Sequence, residues 1–180
     1  MILNTFKRQL TEVCGLYEDA IVALERYRTI ENKDFIETML EHISYHAYEM
    51  LLISEDDDEI LLEELGPDYK EIRTSFRERN EAKELLLEYV DLCDEQIMIL
   101  IWYLENEESC VLQLPCCKEL VAATAKLYKV ATDIKTVLDE QFDREFNYYK
   151  LSELENALKA VYKDDCFWEF PNNIKGKEVR

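Results

Sequence analysis

Glycine and proline are nearly missing from this chain, with three of each in 180 residues. Neither occurs between Gly15 and Gly66, between Pro67 and Pro115, or between Pro115 and Pro171. A β-rich chain of this length needs many tight turns, and such turns draw on Gly, Pro and Asn-Gly pairs. Their scarcity excludes that class and leaves long helices with few connections. Three glycines so far apart also exclude the phosphate-cradling loops G-x-x-x-x-G-K-[ST] and G-x-G-x-x-G. The nucleophile-elbow pattern G-x-S-x-G does not occur.

Histidine is reduced to two residues, His42 and His46. Their spacing of four would put both rings on one face of a helix, able to share a metal, with Glu49 near enough to contribute. A complete site needs ligands from another helix, and no further histidine exists to supply one. Di-iron helical bundles need Glu-x-x-His on each of two helices. The residues three before His42 and His46 are Met39 and Ile43, so the pattern fails at both. No metal or other cofactor is expected.

No C-x-x-C pair is found among the six cysteines, at 14, 93, 110, 116, 117 and 166. Cys14 and Cys93 fall at or beside apolar helical positions and read as core residues. The vicinal Cys116 and Cys117 follow Pro115 at an expected helix start, where the dipole can lower a thiol pKa; a packing role is the reading preferred here. The first residues lack an uninterrupted apolar stretch of the signal-peptide kind, because Thr5, Gln9, Thr11 and Glu12 break it. Cytoplasmic location with reduced thiols is the resulting expectation. The longest apolar run, Ile97 to Leu104, holds eight residues, against about 20 for a membrane span. It reads as a helix buried on most sides or as part of an oligomer contact.

Basic residues are absent from two long windows. Asp34 to Tyr69 contains twelve Asp/Glu and no Lys or Arg, and Glu84 to Cys117 contains eight Asp/Glu and no Lys or Arg. Together they carry −20, while the whole chain carries −19. The rest of the sequence is therefore close to neutral. Between the windows lies a mildly basic stretch with Lys70, Arg73, Arg77, Arg79 and Lys83. About half the residues are apolar, so this is a folding chain and not a disordered acidic tail.

Apolar periodicity outlines the helices. Leu3, Phe6, Leu10, Val13, Tyr17, Ala20, Leu24 and Tyr27 alternate spacings of three and four, which predicts a helix over 2–30. Asp34 with Glu37 forms a capping box for a helix carrying Ile36, Leu40, Ile43, Ala47 and Met50 to about residue 53. A short helix over 55–65 ends at Gly66-Pro67. Tyr69, Ile72, Phe76, Leu86, Val90, Cys93, Ile97, Leu100 and Leu104 keep one register over 68–106. The polar residues 77–83 allow either one unbroken helix or a bend near Asn80. Residues 105–114 read as a connection. Pro115 suits the first position of a helix reaching about 145. Ser152 with Glu155 is a capping box for a last helix. Phe167, Trp168 and Phe170 form an aromatic cluster expected to fold back onto the helices. The fold expected is an all-α antiparallel bundle of five to six helices, one domain over 1–170 with a frayed tail over 171–180.

Function rests on the charge. So acidic a surface repels nucleic acid and attracts basic proteins. The expectation is a non-enzymatic protein that binds a basic partner, in the manner of an inhibitor or immunity protein that masks a nucleic-acid-binding surface. Glu55, Asp56, Asp57, Asp58, Glu59, Glu63, Glu64, Asp91, Asp94 and Glu95 are the candidate contacts. Two alternatives remain open: self-association through the seven-residue repeat of the first helix, and a metal-dependent enzyme centred on His42 and His46.

Overall fold

The computed structural model describes residues 2–30, 38–39, 41–53, 59–138 and 148–162. The described residues are 90% helical, with no strand among them. Among the described residues, seven helices can be bounded, in order: α1 Ile2–Thr29, α2 Tyr45–Leu52, α3 Glu59–Leu65, α4 Tyr69–Asn106, α5 Ser109–Leu112, α6 Pro115–Leu138 and α7 Tyr148–Val161. The fold class is all-α, as the breaker-poor sequence requires. None of these helices is long and apolar enough to cross a membrane. The chain divides into two compact units, Met1–Val22 with Leu86–Arg180, and Ala23–Leu85.

In the first unit, the repeat of α1 faces inward through Phe6 and Val13. Phe6 meets Tyr103 edge-on, with ring centroids 5.2 Å apart, a geometry that aligns the positive ring edge with the negative face. Gln9 is buried and donates its amide to the Gln96 side chain. α4 contributes Leu86, Val90, Cys93, Ile97, Leu100 and Leu104, all buried. Pro115 opens α6, whose Leu120, Leu127, Ala131, Ile134 and Leu138 form its buried stripe.

α7 is held by its C-terminal end. Tyr162 donates its hydroxyl proton to the Leu112 carbonyl at 2.6 Å and lies 3.5 Å from the Cys117 sulfur. Gln113 Nε2 donates to the Val161 carbonyl at 3.3 Å, satisfying one of the last carbonyls that the helix itself leaves open. α7 begins at Tyr148, ahead of the expected Ser152 cap, so Ser152 lies inside the helix. The apolar spacing 151-154-158-161 already extends upstream of Ser152, and a cap works only where the preceding chain leaves the helix.

The second unit has its own core of Ala47, Met50, Leu51, Leu61 and Phe76, with Ile43, Ile60, Leu65 and Tyr69 packed against it. The helix expected to continue through Ile43 is interrupted by a turn over 41–44, and α2 starts at Tyr45. Ser44 is extended (φ −65°, ψ 154°), and its Oγ accepts the Ala47 amide at 3.1 Å. The Glu64 carboxylate receives the Ser44 hydroxyl at 2.6 Å and its amide at 3.0 Å. A partner 20 residues away thus decides where the helix starts, overriding the apolar period. At the other end, Arg77 Nε donates to the Leu51 carbonyl at 2.9 Å, and the same guanidinium reaches the Ile53 carbonyl. A cation at a helix C-terminus is favourable for both charge and hydrogen bonding.

Gly66 has φ +82° and closes α3 as expected, since this left-handed conformation favours glycine. α4 runs unbroken for 38 residues, about 57 Å. The bend allowed near Asn80 is not needed: Arg79 is 4% exposed and Ala82 2%, so the stripe stays covered and the aliphatic stem of Arg79 does apolar duty. The expected connection before Pro115 contains the single-turn α5. Asp34, Glu37, Phe167, Trp168, Phe170 and the tail 171–180 lie outside the described residues.

Candidate partner-binding surface

The acidic windows reach the surface. Among the described residues of the first window, Glu41, Glu49, Glu59, Glu63, Glu64 and Asp68 are all exposed. In the second, all eight acids are exposed except the half-buried Asp94 and Glu107. Exposure follows from cost: an ionised carboxylate taken out of water without a partner loses several kcal/mol of hydration.

The candidate contacts separate by element. Glu55, Asp56, Asp57 and Asp58 lie outside the described residues. Glu59 stands in the first turn of α3, where it meets the positive end of the helix dipole. Glu63 is exposed one turn on. Glu64 is committed to Ser44, and those two hydrogen bonds hold its carboxyl below the ordinary carboxylate range. On α4, Asp91 and Glu95 share an exposed face four residues apart, while Asp94 is turned toward the half-buried flank.

That face of α4 also carries apolar side chains that charge alone does not reveal. Leu92 is 40% exposed, Met98 42% and Trp102 56%. At 100° per residue, Glu88, Asp91, Glu95, Met98 and Trp102 fall on one line opposite the buried stripe. The run 97–104 is thus buried on most sides, through Ile97, Leu100, Ile101, Tyr103 and Leu104, and open at Met98 and Trp102. The signal was legible in the helical register of 97–104 set against the stripe at 86, 90, 93 and 97. Nearby phenols register the local field. The Tyr89 pKa is raised by burial and by the charges of Asp19 and Glu88, and that of Tyr103 is raised chiefly by burial.

His42 and His46 do not share a helix face. His42 lies in the turn before Ser44, and His46 is the second residue of α2. Glu49, the third candidate, takes the Tyr45 hydroxyl one turn back, which raises the tyrosine pKa. Among the described residues, no three His, Cys, Asp or Glu side chains form a group able to hold a metal ion.

The described cysteines are free thiols with two distinct environments. Cys93 is buried, and desolvation pushes its pKa up to about 12. Cys117 is raised in the same direction by burial, so the helix start at Pro115 does not activate it. Cys14 departs from expectation: it is exposed, not core, because position 14 is rotated about 100° from the seam residue Val13. It lines a groove of about 430 Å³ between α1 and α6, with Leu10, Tyr17, Ala122, Ala123 and Lys126. No protein-family model, curated protein or solved structure matches this chain.

Proposed function

We propose that this protein acts without catalysis, as an acidic helical module that binds a basic partner protein. In its concrete form it occludes a nucleic-acid-binding surface, with carboxylates in place of phosphates. One observation carries the reading. Two windows free of Lys and Arg hold −20 of charge, and their described carboxylates are exposed apart from Asp94 and Glu107. Such a surface steers cationic partners by long-range attraction and discriminates against acidic ones. The self-associating alternative has less to work with. Phe6, Val13, Ala20, Leu24 and Tyr27 are covered within the chain, leaving Leu3 exposed and Leu10 and Tyr17 half-buried.

The experiment is a binding series against a basic partner purified from the host. Affinity falls steeply with salt for the native chain, since exposed charges are screened within about 10 Å at 0.1 M. Replacing Glu55, Asp56, Asp57, Asp58 and Glu59 by their amides weakens binding and flattens the salt dependence. Unchanged affinity in that variant removes the support for the proposal.

A further inference from the structure

We infer that the outer face of α4 docks a basic amphipathic helix of a partner protein, with Trp102 and Met98 as the apolar anchor and Glu88, Asp91 and Glu95 as the charged rail. This rests on the basic-partner reading and names where and how the partner is held.

Four features point to it. Trp102 and Met98 lie one helical turn apart and are 56% and 42% exposed. Tryptophan offers one of the largest apolar areas a side chain can bury, and it is enriched at the energetic centres of interfaces. Methionine is flexible and polarisable, which suits a surface that adapts to a partner. The three carboxylates continue the same line toward the N-terminal half of the helix, and no Lys or Arg occurs between Lys83 and Lys118 to interrupt it. From Glu88 to Trp102 the line covers about 21 Å, or four turns.

The chemistry selects the occupant. A helix laid along α4 meets a carboxylate, then another, then an apolar platform. It therefore needs Lys or Arg at one-turn spacing over one half and a Leu, Phe or aromatic residue over the other. An arginine over the Trp102 ring adds a cation–π contact. Nucleic acid is repelled by the rail. A second copy of this chain sets Glu88, Asp91 and Glu95 against like charges when packed in parallel. In the antiparallel arrangement it leaves each tryptophan against a partner carboxylate. A basic helix has neither conflict.

The test uses the whole chain with Trp168→Phe, so that Trp102 is the sole tryptophan. The probe is a synthetic helical Leu/Lys peptide of about 18 residues, about 27 Å of helix, with leucines on one face. The control is a peptide of equal charge in which serine replaces leucine. Binding is read from Trp102 emission and from its protection against acrylamide. The expected result is a blue shift and protection with the Leu/Lys peptide only. Affinity, measured with the peptide labelled, should fall about tenfold or more in Trp102→Ala and in Glu88→Gln/Asp91→Asn/Glu95→Gln. Both variants change exposed positions, and circular dichroism confirms that they remain folded. Equal binding of both peptides, weakened by neutralising the carboxylates but not by Trp102→Ala, overturns this inference and leaves the general basic-partner reading standing. No binding of either peptide at low salt overturns both. A concentration-dependent dimer lost in Trp102→Ala assigns the face to a second copy and also overturns the inference.

Discussion

Replacing Tyr162 by Phe keeps the ring and removes one oxygen from the place where α7 is anchored. The residue is 3% exposed, and its hydroxyl serves the Leu112 carbonyl at 2.6 Å and the Cys117 thiol at 3.5 Å. Because the hydroxyl proton goes to Leu112, the thiol is the donor in the second contact. The substitution therefore withdraws a partner from a buried acceptor and from a buried, weak donor. Withdrawing a partner from a buried polar group costs about 1–3 kcal/mol, and the sulfur contact adds little. The expected loss is about 2 kcal/mol, which for a chain of this size lowers Tm by about 4–8 °C. Urea and thermal unfolding followed at 222 nm measure it. A double-mutant cycle with Cys117→Ala should show a coupling of about 0.5 kcal/mol or more, because the two residues touch. A Tyr162→Phe protein within about 0.5 kcal/mol of the parent, the lower edge of a single hydrogen bond's net worth, refutes the anchoring argument.

Gly15 sits inside α1, and a Cβ built there meets nothing within 4 Å; Gly15→Ala should raise stability by about 1 kcal/mol in the same unfolding assay. Glu64 has a depressed pKa in the folded state because Ser44 bonds its ionised form. Its contribution is therefore complete above the unfolded value of about 4.3 and disappears as pH falls through the lower folded value. Carboxyl NMR should find Glu64 titrating below exposed glutamates, and Ser44→Ala should return it to their range. With Cys166→Ser in place, a thiol reagent at pH 8 should label Cys14 and Cys110 rapidly and Cys93, Cys116 and Cys117 only on unfolding, read by mass spectrometry. Rapid labelling of Cys93, whose pKa stands at about 12, contradicts its burial.

The helices that are legible in the sequence are those whose apolar period is local and unopposed. α1 ends at Thr29, one residue from the expected bound, and α4 keeps the register read from Tyr69 to Leu104. Pro115 and Gly66 mark helix ends for stereochemical reasons that need no tertiary information. What the sequence withholds is non-local. Ser44 caps α2 because Glu64 fixes it from 20 residues away, and Arg77 finishes the same helix from α4. A period-based reading that continues through Ile43 has no access to either contact. The candidate surface is legible in the same partial way. Charge counting finds Asp91 and Glu95, while Trp102 and Met98 hide inside an apolar run until the register of the helix turns them outward.

The most direct test of the central claim is the dependence of affinity on salt for the basic partner isolated from the host, compared between the native chain and a chain with the acids of both windows replaced by amides. The account predicts a steep fall of log affinity with log salt in the native chain. It predicts weaker binding with a shallow slope in the amide variant. Equal affinities and equal slopes contradict it.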